Sequence, residues 1–213
     1  MRDHVNERIH MKLLGSPGSP YVRKVRIVLA EKHVRYDYII DRPSAPDSRV
    51  AEYNPLGKIP VLVNDDGRAI YDSAVIVEYL DGLIAEPSLI PAKFEDRIKV
   101  KRWEALGDGI ADATVLISHN LRKPAAEREP AIWYERQHKK IRRGLATMEA
   151  DLGGREFCHG NAFTLADVAA GYALGYLDQA MPETDWQAVS PNLKKLATRL
   201  ALRESFSTTL PAA

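Results

Sequence analysis

Nine consecutive residues, Asn54 to Leu62 (NPLGKIPVL), constrain this chain more than any other stretch, because they set a turn, a proline and an apolar strand end to end. Asn-Pro followed by a glycine reads as a tight turn. The run Ile59 to Val63 then reads as a buried strand, yet Pro60 stands at its mouth with no N–H to give a sheet ladder. Pro60 therefore belongs at a strand start, a sheet edge or a cis turn. Trans is the commoner isomer, and a trans proline opening a strand is what the segment alone favours. A cis bond would instead turn the N–H and C=O of Ile59 away from the protein's own hydrogen bonds, free to pair with an extended, peptide-like ligand.

The 213 residues suffice for one large domain or two small ones, and a hydrophobic content of 45% supplies cores for either. Thirty basic against 29 acidic side chains leave a formal charge of +1. No global field draws in nucleic acid or an anionic membrane, and neither is an expected partner. The single cysteine, Cys158, excludes an intrachain disulfide and a cysteine-based zinc cluster, and agrees with a reducing, cytoplasmic setting. No apolar run approaches the ~20 residues that span a bilayer. Residues 1–10 (MRDHVNERIH) are charged and lack the apolar core of a secretory signal. They are expected to form a poorly ordered N-terminal extension before Met11, where strand-like sequence begins.

From Met11 to about Ile84, short apolar runs alternate with helical ones; beyond Pro91 only helical periods remain. Met11 to Leu14 reads as a strand, and Tyr21 to Glu31 as a helix with Val22, Val25 and Leu29 on one face. Tyr36, Tyr38 and Ile40 alternate as a second strand should, and the polar loop DRPSAPDSR follows. Ile59 to Val63 and Ala69 to Tyr71 flank Asp66-Gly67, a hairpin signal, and Ser73 to Leu83 closes the half as a helix. The order β-α-β, loop, β-β-α, with a proline opening the third strand, is the thioredoxin-like arrangement, in full β-α-β-α-β-β-α. The expected fold class is thus α/β plus all-α: a first domain over residues 11–86, a linker over 87–93 and an all-helical domain over 94–213.

In the second half, Trp103, Leu106, Ile110, Ala113 and Ile117 define a helix from about Phe94 to Asn120. Ile141, Leu145, Met148 and Leu152 define one from about Pro130 to Leu152. Both stripes read as core rather than cofactor contacts. Thr164-Leu165-Ala166-Asp167 has the spacing of a capping box, with Phe163 and Val168 placed as a hydrophobic staple. A last helix is expected from Leu193 to Phe206.

Five segments, in this order and spacing, carry a resemblance: GSPGSPYVRKVRI (Gly15 to Ile27), NPLGKIPVL, YDSAVIVEYL (Tyr71 to Leu80), ALGDGIADA (Ala105 to Ala113) and TLADVAAGYALGYL (Thr164 to Leu177). Together they resemble the cytosolic glutathione transferase superfamily, particularly its bacterial YibF-like members, from Met11 to about Pro211. The resemblance implies that Pro60 is cis and that Ile59 binds glutathione through its backbone, reversing what the segment alone favours. It also implies a homodimer, glutathione as cosubstrate and no metal.

A thiol with a pKa near ~8.5 is mostly un-ionised at neutral pH, while the thiolate is the nucleophile. A hydroxyl at a helix N-terminus can donate a hydrogen bond to sulfur while the helix dipole adds positive potential. Ser19, just before Pro20, is the candidate for this role, in the place where serine-type transferases keep their serine and thiol-transferring relatives keep cysteine. It fits a simple N-cap equally well, and the two roles are compatible. Ser16 and Tyr21 are its rivals for the thiol. Cys158, in the helical half, reads as a buried thiol rather than a nucleophile.

Asp72 and Ser73 precede a helix whose free N–H groups can hold a carboxylate. The resemblance implies that they bind the γ-glutamyl ammonium and carboxylate of glutathione, beyond their capping role. Lys58 is a candidate partner for the glycine carboxylate, or an exposed turn lysine. Arg23 and Lys24 read as surface rather than as contributors to the potential at the thiol. Gly107 and Gly109 within a helix call for close packing, a bend or room for a ligand. Asp108 and Asp112 read as a solvated pair, and His119 has no partner at metal-ligand spacing.

The expected function is glutathione transfer: attack of the thiolate on an electrophilic small molecule or a peroxide. The alternatives are a glutathione-dependent disulfide or peroxide reductase, and a non-catalytic glutathione-binding or protein-interaction module. The second substrate is expected between the two halves, and whether Arg203 reaches it stays open.

Overall fold

A computed structural model describes residues 10–210, so the extension expected over residues 1–10 lies outside the described residues except for His10. Four strands, β1 (Met11–Gly15), β2 (Tyr36–Ile40), β3 (Val61–Val63) and β4 (Ala69–Ile70), form one sheet in the order β2-β1-β3-β4. β1 and β2 are parallel, which requires the crossover that helix α1 (Pro20–Glu31) provides. β3 runs antiparallel to both β1 and β4. Leu13, Leu14, Val61, Leu62 and Val63 are all buried, as strands covered on both faces should be. A one-turn helix α2 (Val50–Tyr53) ends the polar loop, and Val50 and Tyr53 pack on Leu14, Val61 and Val63. Helix α3 (Ser73–Leu83) packs against α1.

β3 starts at Val61 rather than at Ile59, and β4 ends at Ile70 rather than at Tyr71. The first difference follows from Pro60, which has no N–H to donate. The hairpin between β3 and β4 is closed by Asn64: its N–H donates to the Arg68 carbonyl at 3.1 Å, and its Oδ1 accepts the Arg68 N–H at 2.9 Å. Gly67 supplies the left-handed residue, at φ +77.

The helical part comprises α4 (Phe94–Leu121), α5 (Ala131–Leu152), α6 (Leu165–Ala180), α7 (Trp186–Val189) and α8 (Pro191–Ala201), with a 3-10 turn at Ala125–Glu127. α6 is its core: every residue from Leu165 to Leu174 is buried. α4 packs on α6 so closely that a Cβ on Gly107 would lie 2.7 Å from the Ala169 carbonyl oxygen. Close packing therefore explains Gly107, whereas a Cβ on Gly109 would meet nothing within 4 Å. Of the five stripe residues on α4, Leu106 is only half-buried.

Contacts divide the chain into two units, one running to Ile90 and rejoined from Glu204 onward, the other Pro91–Arg203. The division falls inside the expected linker. The expected continuous helix from Leu193 to Phe206 is broken instead: α8 ends at Ala201, and a short helix α9 (Glu204–Ser207) starts after Arg203. α9 packs on α1 in the first unit, with Phe206 buried and the Ser205 hydroxyl donating to Glu31 at 2.5 Å. The terminal segment, expected to belong with the helical domain, therefore lies with the sheet. Just past the Glu31 end of α1 the fully buried Lys32 ammonium meets the Asp81 carboxylate at 2.5 Å and the carbonyls of Ile84 and Pro87 at 2.7 and 2.6 Å. No helix among the described residues is long and apolar enough to cross a membrane.

Candidate functional site

Strand register decides which candidate residues share a neighbourhood. Leu14 is paired with Val61, and Leu62 with Ile70. The exit of β1, the entry of β3 and the exit of β4 therefore lie at one end of the sheet. The chain carries Gly15 to Ser19, Ile59-Pro60 and Tyr71 to Ser73 at these three places.

Ser19 is the N-cap of α1, in extended conformation, with Pro20 at the first helical position. Its Oγ accepts the Val22 N–H at 3.4 Å, its N–H donates to the Ser16 carbonyl at 3.0 Å, and its carbonyl accepts the Arg23 N–H at 3.1 Å. A hydroxyl has one proton to donate and two lone pairs to receive with. Capping uses a lone pair, and no acceptor for the Ser19 proton appears among the described residues. Gly15 lets the strand run hard against this helix: a Cβ there would lie 2.5 Å from Val22 Cγ2. Of the rivals, Ser16 is half-buried on the loop and Tyr21 half-buried in the first turn.

The Ile59–Pro60 peptide bond is cis. Among the described residues the Ile59 N–H and C=O have no hydrogen-bond partner. What presents them is Asn54, a residue that sequence reasoning treated only as part of a turn. Asn54 is buried, its Nδ2 donates to the Lys58 carbonyl at 2.8 Å, and its Oδ1 accepts the Leu56 N–H at 3.0 Å. Its own carbonyl accepts the Gly57 N–H at 2.8 Å, with Gly57 at φ +60. One asparagine side chain thus holds the loop from both sides. The Asn-Pro pair signals the turn; that its amide fixes Lys58 is visible only in three dimensions. The Lys58 side chain itself is exposed.

Asp72 is the N-cap of α3, its Oδ1 accepting the N–H groups of Ala74 at 3.1 Å and Val75 at 3.4 Å. The bond before it, Tyr71–Asp72, is also cis. The Ser73 side chain is buried, and neither its N–H nor its hydroxyl has a partner among the described residues. This end of the sheet therefore offers two helix N-termini and one unpaired strand-like amide, donors and acceptors suited to a short peptide with a carboxylate and a thiol.

The surface reading of Arg23 and Lys24 does not hold, since both are buried. Residues of the terminal segment, far away in sequence, pack on the helix they belong to. The solvated-pair reading of Asp108 fails similarly: its carboxylate accepts a hydrogen bond from the Tyr172 hydroxyl. Arg203 stacks over the Phe163 ring at 3.9 Å. Cys158 is buried, and burial followed by the nearby Asp167 carboxylate pushes its thiol well above the ordinary range. It is unsuited to be a nucleophile. No group of three His, Cys, Asp or Glu side chains among the described residues is arranged to hold a metal ion.

Comparison with known proteins bears on the whole chain. Residues 13–88 match the family model for the glutathione S-transferase N-terminal domain, and residues 131–199 that for the C-terminal domain. The uncharacterized GST-like protein YibF of Escherichia coli K12 is 37% identical over 94% of this chain and 98% of its own length. Among solved structures, a glutathione S-transferase of Methylobacterium radiotolerans in complex with glutathione sulfonate superposes with a TM-score of 0.91, at 40% identity over 96% of each chain. One from Methylobacillus flagellatus with glutathione bound also gives 0.91, at 44% identity over 95% of this chain and 100% of that one.

Proposed function

Since the chain belongs to the glutathione S-transferase family, we propose that it is a cytoplasmic, homodimeric glutathione transferase that activates the glutathione thiol for attack on an electrophilic small molecule. The observation that carries this reading is the Ser19 hydroxyl, which caps α1 through a lone pair and keeps its proton to donate. A thiolate placed at that helix end receives this hydrogen bond and the positive end of the helix dipole. Lowering a thiol pKa from ~8.5 by about two units takes about 2.7 kcal/mol, within the reach of one charge-assisted hydrogen bond and a helix terminus. The glutathione sulfonate held by the Methylobacterium radiotolerans relative carries a negative group, its sulfonate oxygens, where glutathione has its thiol.

The unpaired Ile59 N–H and C=O suit the cysteinyl backbone of the tripeptide, in the manner of an added strand. The open Ser73 N–H and hydroxyl suit the γ-glutamyl carboxylate, and Asp72 the ammonium beside it. Lys58, exposed near Ile59, suits the glycine carboxylate. With serine rather than cysteine at position 19, the protein has no thiol there to form a mixed disulfide, so the sulfur chemistry belongs to glutathione. The thiolate's electron pair forms the new bond to the electrophile, whose leaving group departs or whose π-electrons shift.

The test is a pH titration of thiolate absorbance for glutathione bound to wild type and to Ser19→Ala. The expected result is a bound-thiol pKa well below the free value in wild type, rising by about one unit or more in the variant, which loses the hydroxyl and keeps the helix terminus. An unperturbed thiol in both, despite saturable binding, would overturn the assignment and point to a carrier.

A further inference from the structure

The face of α1 that begins at Ser19 continues through Arg23 and Arg26, at spacings of four and three. The terminal segment covers it. Arg23 Nη2 donates to the Phe206 carbonyl at 3.4 Å, while Arg26 Nη1 and Nη2 donate to the carbonyls of Thr209 at 3.4 Å and Thr208 at 3.3 Å. The two arginines differ in kind. Arg26 is half-buried, lies over the Tyr38 ring at 4.9 Å and donates to the Tyr36 hydroxyl at 3.3 Å. Arg23 is only 8% exposed, its Nε is buried without a partner, and no carboxylate among the described residues pairs with it.

A buried guanidinium without a counter-ion is costly, and it stays charged because arginine does not lose its proton in proteins. Burial, followed by the nearby Arg26, disfavours the charge on Arg23. The other charged groups on α1 and the elements packed against it are Lys24, Glu31, Asp72, Glu78, Asp81 and Glu204. None of them bonds to Arg23. Its positive field is therefore left without a neutralising partner, and burial keeps solvent ions from screening it.

We propose that Arg23 is an electrostatic element of the thiol site: a buried guanidinium one helical turn from Ser19, held by the Phe206 carbonyl, whose charge favours the thiolate of bound glutathione without touching it. Helical side chains commonly lean back over the preceding turn, and the turn before Arg23 is the one that opens at Ser19, about 5.4 Å away along the axis. The inference rests on the transferase reading of Ser19 and adds a second source of potential to it. It also gives the terminal segment a task, since the carbonyl that holds Arg23 comes from α9.

The experiment is the same thiolate titration on Arg23→Met and Arg23→Lys. Arg23→Met is expected to raise the bound-thiol pKa by about one unit, a tenfold fall in thiolate fraction below the pKa. The rise should persist at high salt, and thermal stability should match or exceed wild type, because an apolar side chain replaces an unpaired buried charge. Arg23→Lys, which keeps the charge, should stay near wild type. A merely structural arginine predicts the reverse, lost stability and an unmoved thiol. A folded Arg23→Met with the wild-type thiol pKa overturns the proposal while leaving Ser19's role intact; should that variant not fold, Arg23→Gln carries the same reading. An unperturbed thiol in wild type itself overturns both.

Discussion

Helices α1 and α6 open in the same way, with a hydroxyl residue at the cap and an apolar run behind it, and they treat their free backbone donors in opposite ways. At α6, Thr164 Oγ1 accepts the Ala166 N–H at 3.3 Å, and the Asp167 carboxylate accepts the N–H groups of Thr164 and Cys158, each at 2.9 Å. The capping box is complete and buried. At α1, Ser19 caps through one long bond of 3.4 Å, is half-buried, and retains a hydroxyl proton without an acceptor among the described residues. The cap of α3 lies between the two: Asp72 serves Ala74 and Val75 but leaves the Ser73 N–H open. Serine, threonine and aspartate at a helix start are therefore equally good signs of a stability device and of a ligand site. What separates them is whether the chain uses all the donors itself.

Breaking the closed cap should have the largest effect. Asp167→Ala leaves the buried N–H groups of Cys158 and Thr164 without acceptors, at about 1–3 kcal/mol each. A loss of about 3–5 kcal/mol in unfolding free energy is expected, measured by urea denaturation. Cys158, the single cysteine and buried in the fold, reports the same event, since its labelling by a thiol reagent should accelerate strongly in the variant. A loss below about 1 kcal/mol would mean that these amides find other partners and that the box is not closed.

The same carboxylate gives a pH dependence whose sign can be worked out. Burial raises the Asp167 pKa above its ordinary value, outweighing the hydrogen bonds from Cys158 and Thr164 that lower it. The folded state then holds this proton at a pH where the unfolded chain has released it. Asp167's contribution is fully present below the unfolded pKa and is lost as pH rises through the raised folded value. Wild type should therefore show a stability slope in that window, falling toward neutral pH, that Asp167→Ala lacks. An identical slope in both proteins would assign it to other groups.

At the open cap the pattern should invert. Ser19→Ala removes one weak capping bond, costing about 1 kcal/mol of stability or less. Its expected effect on the bound thiol is larger, about 1.4 kcal/mol or more, the rise of one unit or more described above. If the variant loses more stability than thiol activation, the two caps are the same device and the contrast drawn between them fails.

How far the sequence reveals all this depends on where each residue's neighbours come from. The helices α4 and α5 are legible because their buried faces repeat at three and four residues, and the start of α6 because the partners of its box at Thr164 sit within three positions. β3 reads two residues too long, since an apolar run does not tell where a proline lets pairing begin. Arg23 and Lys24 read as surface because the terminal segment packed on their helix lies some 180 positions downstream. The break at Leu202 and Arg203 is hidden for the same reason: local propensity favours one helix, and docking of Phe206 and Ser205 on α1 ends it. At the candidate site, Ser19, Ile59 and Asp72-Ser73 are candidates that the sequence segments supply one by one. Their convergence depends on the register of β3 with β1 and β4, which no single segment encodes.

The smallest effect should come from Lys58, and it sharpens the contrast from the other side. Lys58 is exposed, where water and salt weaken any ion pair to a carboxylate. Its carbonyl, not its ammonium, is what the structure fixes, through the Asn54 side chain. Lys58→Ala is therefore expected to raise KM for glutathione about threefold at low salt, with kcat unchanged, because it removes binding shared by ground and transition states. The difference from wild type should vanish at high salt, whereas the effect of the buried Arg23 should survive it. A salt-insensitive loss at Lys58 would mean that its ammonium is enclosed once glutathione binds, and would move it from the rim of the site to its interior.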